Sequence, residues 1–386
     1  MSPSNPIRGR LGLLAAAAIL VSCGSAPAVT APAPDQVFET EAASFRVSEV
    51  VGGLEHPWSV AFLPDGGMLI TERPGRLRLV DADGKLREAP VAGVPEVHAQ
   101  GQGGLLDVIL DPDFAENRRI YLSYAYGEGG RTTTRVMRAR FAPEGLSEQQ
   151  VIFSGEPMAS GNAHFGSRLA FDREGLLWIT MGERNQPGRA QDLNDHAGSV
   201  LRVRSDGSVP DDNPFVGRGD ARPEIWSWGH RNPQGMAVHP ETGEVWVQEH
   251  GPRGGDEINI VHAGRNYGWP IQTHGRAYSG LPMGRGGSVE GMEDPLFHWT
   301  PSIAPSGMAF YTGDAFPGWR GDLLNGALVT RLVARLDIEN GRIVGEERFL
   351  EDELGRIRDL RVGPDGLVYL LTDEDPGALY RLEPAD

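Results

Sequence analysis

Ser59–Glu72 reads SVAFLPDGGMLITE, a short alternating run, a Pro-Asp-Gly turn and a second apolar run. Asp-Gly pairs set up tight hairpin turns, and alternating flanks suit half-buried strands. The phrase returns as LLDVILDPDFAENRRIYLSY (Leu105–Tyr124), SRLAFDREGLLWITMGE (Ser167–Glu183) and QGMAVHPETGEVWVQEH (Gln234–His250). A fifth copy, SGMAFYTGDAFPGWRGDLLNGAL (Ser306–Leu328), carries a longer turn, and the sixth, IRDLRVGPDGLVYLLTDE (Ile357–Glu374), is compact again.

Successive copies start 46, 62, 67, 72 and 51 residues apart. A hairpin cannot bury its apolar face alone, so such units stack on neighbours. This spacing leaves room for four strands and a loop per unit, the size of a propeller blade. An all-β, six-bladed β-propeller with four-stranded antiparallel blades is therefore predicted over residues 44–386. A Greek-key sandwich would not repeat its turn chemistry six times. Few stretches could be helical; Gln191–Gly198 has room for a turn or two.

Composition agrees. The 386 residues include 52 Gly and 29 Pro with only 23% charged side chains, which suits a turn-rich β protein. A net charge of -17 argues against nucleic acid or an anionic membrane surface as partner, since both attract basic proteins.

The first 22 residues read as a targeting segment. Arg8 and Arg10 precede an apolar run, Leu11–Val21, of 11 residues, too short to span a bilayer and proportioned like a signal-peptide core. It ends in Leu20-Val21-Ser22-Cys23, with the chain's single cysteine. The pattern resembles a bacterial lipobox, which predicts a lipoprotein signal peptide over residues 1–22 and a lipid on Cys23. An ordinary secretory signal cleaved near Ala26 is the other reading. Either takes the protein out of the cytoplasm, to the periplasm. Gly24 stands where an aspartate would signal inner-membrane retention, so the outer membrane is the expected site of the anchor. With one cysteine, no disulfide holds the domain together. Residues 23–43 are Ala/Pro-rich and read as an extended tether.

In a propeller the innermost strands line a central channel, and the loops entering them converge on one mouth. Taking the first strand of each phrase as innermost, those loops hold His98–Gly104, Gly161–Gly166, Trp226–Pro233, His298–Pro301 and Arg356–Asp359. Glycines, tryptophans, His164, Arg231, Arg356 and Arg358 share one structural offset, the signature of a single pocket. Arginine forks bind planar carboxylates bidentately, so the three arginines suggest a planar polyanionic ligand. Surface ion pairs are their commoner fate. His164, in a Gly-flanked loop, has the chemistry of a general base near neutral pH. The tryptophans at 226, 228, 269 and 299 read more readily as core. Glu249–Pro270, EHGPRGGDEINIVHAGRNYGWP, places acids and glycine-freed carbonyls in one loop. Gly251 and Pro252 could offer backbone oxygens to a hard cation, and Glu257 with a main-chain oxygen near Tyr267 a second site. A polar surface loop is the plainer reading. GxGxxG, GxSxG, HExxH and CxxC are all missing, so nicotinamide, serine-hydrolase, zincin and thiol chemistry lack support.

GQGGLLD (Gly101–Asp107), HFGSRLAF (His164–Phe171), SVPDDNPF (Ser208–Phe215) and EIWSWGHRNPQGMA (Glu224–Ala237) together resemble bacterial soluble quinoprotein sugar dehydrogenases. So do EHGPRGGDEIN (Glu249–Asn259), NYGWP (Asn266–Pro270) and RIRDLRVGPDG (Arg356–Gly366), and the likeness is greatest to the aldose sugar dehydrogenase branch. It spans roughly residues 54–382. It implies a six-bladed propeller holding pyrroloquinoline quinone (PQQ) and calcium, and oxidation of an aldose at its anomeric carbon to a lactone. By resemblance His164 is the base that takes the anomeric hydroxyl proton. Gln102, Arg231, Asn232, Arg356 and Arg358 hold the cofactor, Tyr278 stands near its plane, and Asp373 matches an acidic position beside the last arginines. Gly251 and Pro252 give carbonyls to the calcium that polarises the quinone, while Glu257 and Tyr267 resemble ligands of a second, structural calcium.

Two positions depart from the family pattern. Ala163 stands where an Asp or Asn often orients the histidine, and Val329 follows Gly326-Ala327-Leu328 where relatives carry a lysine. Arg331 is the candidate to replace that charge. A calcium-dependent lactonase, a non-catalytic carbohydrate-binding propeller and a relative with a drifted quinone site are the competing readings. The sequence identifies neither the preferred aldose, nor the electron acceptor, nor an oligomeric state.

Overall fold

A computed structural model describes residues 32–385. The predicted signal peptide and Cys23 lie outside the described residues. The chain folds into six sheets, one beginning at each phrase. Their first strands are Pro57–Phe62, Leu105–Leu110, Leu169–Phe171, Pro233–Val238, Pro305–Phe310 and Ile357–Val362. Each contacts the next, and the sixth returns to the first, closing a ring around a channel.

The second strands explain the apolar runs. Met68–Glu72, Leu177–Met181, Val245–Glu249, Leu323–Ala327 and Val368–Thr372 are buried at every residue, because neighbouring blades cover both faces. One apolar cluster fills each seam between blades. In the seam between blades five and six, Phe45 meets Trp319, Phe316 and Phe349 edge-on.

Blade one has three strands, with a single Val80–Leu86 bridge beyond them. Blade three gains Arg265–Asn266 as a parallel fifth strand. Blade six is built from both ends of the domain: Ser44–Leu54 pairs antiparallel with Gly377–Pro384, Val47 opposite Leu382. Val37–Glu39 pairs in turn with Ser44–Arg46. The end of the expected tether therefore belongs to the outer edge of this sheet, where alternating Val37 and Glu39 flank partly buried Phe38. Among the described residues helix is confined to short pieces such as Phe114–Asn117 and the 3-10 turn Pro187–Gln191; the turn stops where Gln191–Gly198 was expected to begin one. Among the described residues no helix is long and apolar enough to cross a membrane.

Candidate active site

Every first strand runs away from one face of the ring and every second strand returns to it, so two loops per blade end on the same mouth. A cavity of about 480 Å³ opens there. Gln102, Asn232, Tyr278, Arg356, Arg358 and Asp373 line it, as expected from the sequence. Tyr278 stands at the rim and is 73% exposed. Trp58, Leu106, Ala125 and Phe165 pack beneath as a small apolar cluster.

Deeper in the channel, Arg168 lies fully buried between Asp107 (3.3 Å) and Asp359 (3.0 Å), and Arg361 bridges the same two acids at 3.0 and 2.9 Å. The Arg168 guanidinium stacks on Trp58 at 4.3 Å. Balanced charges from blades two, three and six thus plug the ring below the cavity.

His164 sits just behind the wall formed by Phe165 and Gly166. Its main-chain N–H donates to Gln102 Oε1 (2.8 Å), and its Nδ1 is 2.5 Å from Glu183 Oε2. Glu183 is fully buried and does the orienting that the missing residue at Ala163 was expected to do. Asn162 turns instead to His98, with Oδ1 2.8 Å from Nε2. The sequence reading passed over Glu183 because it looked only upstream of first strands. Glu183, Glu72, Glu249 and Asp373 all fall at or just past the end of a second strand, where a recurring acid is visible in the phrases themselves.

Arg358 donates to Gln234 Oε1 (3.1 Å) and to Asp373 Oδ2 (2.9 Å). Gln234 continues to Asn232 Oδ1 at 3.3 Å, which accepts the Gly166 N–H at 3.2 Å. Asp373 is therefore an anchor for its neighbours. Burial pushes its carboxyl up, but Arg358, His56 and Arg73 outweigh this and hold it well below the usual carboxylate range. His56, 3.2 Å away, is raised in return by its hydrogen bond to Asp373.

Arg231 is placed differently from expectation. Its Nη1 donates to the carbonyls of His250 (3.1 Å) and Gly251 (2.8 Å), and its guanidinium lies 5.3 Å from the Trp269 ring. It lines a smaller neighbouring cavity, and Arg73 is the third arginine of the main one. A buried guanidinium must satisfy its donors, and the carbonyls of the Gly251 loop are the nearest acceptors. Arg73 follows Glu72 at a second-strand end, the same overlooked offset. His250 also lines the main cavity; burial lowers its imidazole to about 3, and Nε2 is held 2.6 Å from the Pro305 carbonyl. Val329 lies on the rim, 62% exposed, while Arg331 pairs with Asp352 at 2.6 Å and does not line the cavity. The charge of the family lysine is not replaced from there.

Of the four expected cation ligands, Gly251 and Glu257 line the smaller cavity with Glu249, Gln272 and Thr273, while Pro252 and Tyr267 do not. Among the described residues no three His, Cys, Asp or Glu are grouped to hold a metal, so a calcium ion here would rest largely on main-chain and amide oxygens. Gly251's carbonyl already accepts from Arg231, which places a cation beside the proposed ligand. No hydrogen bond among the described residues ends on the carbonyls of Pro252 or Tyr267. The Tyr267 hydroxyl donates to the Ile260 carbonyl at 2.5 Å. Burial, then the Glu249 charge, raise the Glu257 carboxyl well above its ordinary value. Asn259 Oδ1 beside them has no partner. Two crowded buried acids and an unpartnered amide oxygen thus stand together beside this cavity.

Residues 54–381 match the Glucose / Sorbosone dehydrogenase family. The chain is 48% identical over 348 residues to aldose sugar dehydrogenase YliI of Escherichia coli (strain K12), covering 89% of this chain and 94% of the relative. The crystal structure of the soluble E. coli aldose sugar dehydrogenase in the apo-form superposes with a TM-score of 0.86 at 47% identity, over 88% of this chain and 100% of that one. The PQQ-bound aldose sugar dehydrogenase of Streptomyces coelicolor gives a TM-score of 0.73 at 28% identity, over 88% and 98%.

Proposed function

The chain belongs to the glucose/sorbosone dehydrogenase family, and from that premise we infer that it is a PQQ-dependent aldose dehydrogenase in which His164 is the general base. The observation that carries this reading is the pairing of a carboxylate-braced histidine with an arginine- and amide-lined cavity directly beside it.

The lining fits the cofactor. Arg73, Arg356 and Arg358 present guanidinium groups to a ligand with three carboxylates, Gln102 and Asn232 add amides, and Trp58 offers a flat floor. When bound, PQQ supplies a two-electron acceptor for the hydride that leaves the anomeric carbon. The remaining steps belong to the chain. A carboxylate at Nδ1 fixes the Nδ1–H tautomer of His164, leaving Nε2 with a free lone pair. Nε2 takes the proton of the anomeric hydroxyl as the C–H bond breaks, and the C–O bond becomes the carbonyl of a lactone. Glu183 then faces the imidazolium and stabilises it. Asp373 holds Arg358 in its pose, and the ionic plug keeps bulk water from entering through the channel.

A calcium ion bound by the Pro252, Gly251 and Glu257 region would act as a Lewis acid near the cofactor or as a structural tie. The protein is further proposed to reside in the periplasm, tethered through a lipid on Cys23. This rests on the sequence of residues 1–23 alone. Cys23→Ser should then release it to the soluble fraction; continued membrane attachment would count against the lipid.

The deciding experiment titrates PQQ into cofactor-free protein, with and without calcium, and follows dye reduction by several aldoses. His164→Ala should bind PQQ normally and lose nearly all turnover. Normal turnover in that variant would remove His164 as the base.

A further inference from the structure

Arg184 is 1% exposed, yet among the described residues no carboxylate pairs with it. Arg168, Arg202, Arg335 and Arg358, also buried, each meet an acid within 3.3 Å. Burial first, and then the nearby Arg189 charge, lower the Arg184 guanidinium to about 9 against the opposing pull of Glu183. An unpaired buried cation is costly, and a neutral side chain would fill the same space with less penalty.

The loop carrying His164 surrounds this cation. Arg184 Nη2 donates to the Gly161 carbonyl at 2.8 Å and to Thr132 Oγ1, and Nη1 donates to the Ala163 carbonyl. Its guanidinium lies 3.5 Å from the centre of the Phe165 ring. One side chain therefore grips the residues immediately before and after the histidine. That grip has something to resist. His164 sits at φ 53°, a left-handed conformation that a non-glycine residue holds only when its surroundings enforce it. Gly182 packs so closely that a Cβ there would meet the His164 carbonyl at 2.4 Å.

We propose that Arg184 is a positioning residue for His164. Its planar fork fixes the carbonyls on one side of the histidine and its π-face contact fixes the ring on the other. The imidazole is thereby held where Glu183 reaches Nδ1, close behind the Phe165–Gly166 wall of the cavity. The proposal rests on the reading of His164 as the base, and it adds a brace on the loop to the one Glu183 gives the ring.

The test uses full-length apoprotein labelled with 15N-histidine, together with Arg184→Met, Arg184→Lys and His164→Ala, the last to assign the His164 ring signals. In Arg184→Met, the His164 ring resonances should shift or broaden. At saturating PQQ and sugar its kcat should fall about 100-fold, the scale of a small misplacement of a reacting group, while KM and PQQ affinity move by less than about threefold. Arg184→Lys, which keeps the charge but not the fork, should fall between the two. Unchanged resonances with kcat within about threefold of wild type would overturn the proposal. If Arg184→Met does not fold, Arg184→Lys decides: reduced kcat with shifted resonances supports the clamp, and wild-type values in both overturn it. Failure of the underlying reading shows separately, as undiminished turnover in His164→Ala.

Discussion

His164 Nδ1 stands 2.5 Å from Glu183 Oε2, and one blade further His230 Nδ1 stands 2.8 Å from Glu249 Oε1, with the same spacing of 19 residues between partners. The ring has thus built the same histidine–carboxylate pair twice. The blade-three copy lies just behind Phe165 and Gly166, which line the main cavity, whereas Glu249 of the blade-four copy lines the smaller one. In blade four, His230 is fully buried, stacks on Tyr267 at 4.6 Å and accepts or donates at Ser227 with its other nitrogen.

The two copies should therefore fail differently. Glu183→Gln removes the acceptor that sets the imidazole tautomer and is expected to lower kcat by about 100-fold or more, with PQQ affinity little changed. Glu249→Gln should chiefly lower Tm. Steady-state kinetics and thermal unfolding of both variants separate the roles; equal kcat losses would contradict this assignment.

Arg73 and Arg358 meet the proposed cofactor from different blades. Loss of a charge-assisted hydrogen bond costs about 1.5–3 kcal/mol, so each alanine variant should weaken PQQ binding about 10-fold or more. Added salt should narrow the gap for partly exposed Arg73 more than for buried Arg358. Fluorescence titration at two ionic strengths reads both effects.

Asp373 carries a pH signature. Its folded carboxyl is held below its unfolded value, so the stability it contributes is complete above the ordinary aspartate value of about 3.9 and is lost as pH falls through the lower folded value. Asp373→Asn should lower the Tm of the apoprotein at pH 7. The difference from wild type should shrink as the medium is acidified below about pH 4. A difference independent of pH would mean that the arginine field on Asp373 contributes nothing to folding.

Glu257 offers the test for calcium. A ligand that binds only the folded state stabilises by about 2.7 kcal/mol at 100 times its Kd. Calcium should therefore raise the Tm of the wild type after chelator treatment. Glu257→Gln should lose most of that increment while its calcium-free Tm stays equal or rises, since a crowded buried carboxyl has gone. An undiminished increment would place the ion elsewhere.

Much of this was legible in the chain because a propeller writes its fold as a repeat. The hairpin phrases located all six first strands, and looking upstream of them found Gln102, Asn232, Arg356 and Arg358 of the cavity lining and His164 behind it. Glu183 and Arg73 escaped because they follow second strands, which reach the same face from the other direction. Arg231 and Arg331 mark a different limit. Loop position says which mouth a residue is near, but nearby carbonyls or Asp352 decide where a guanidinium points. Asp373 was correctly placed beside the last arginines, while its service as their anchor appears only once its hydrogen bonds are traced.

The Arg168–Asp107–Asp359–Arg361 cluster turns the ring from a tube into a cup. A cup has one door. On the proposed function, sugar would enter, lactone would leave and the electron acceptor would approach through the same opening, over the same few rim residues. Oxidation of the sugar and reoxidation of the enzyme are then separated in time by the geometry of the vessel. An acceptor that crowds the mouth becomes a competitor of the sugar as well as its co-substrate.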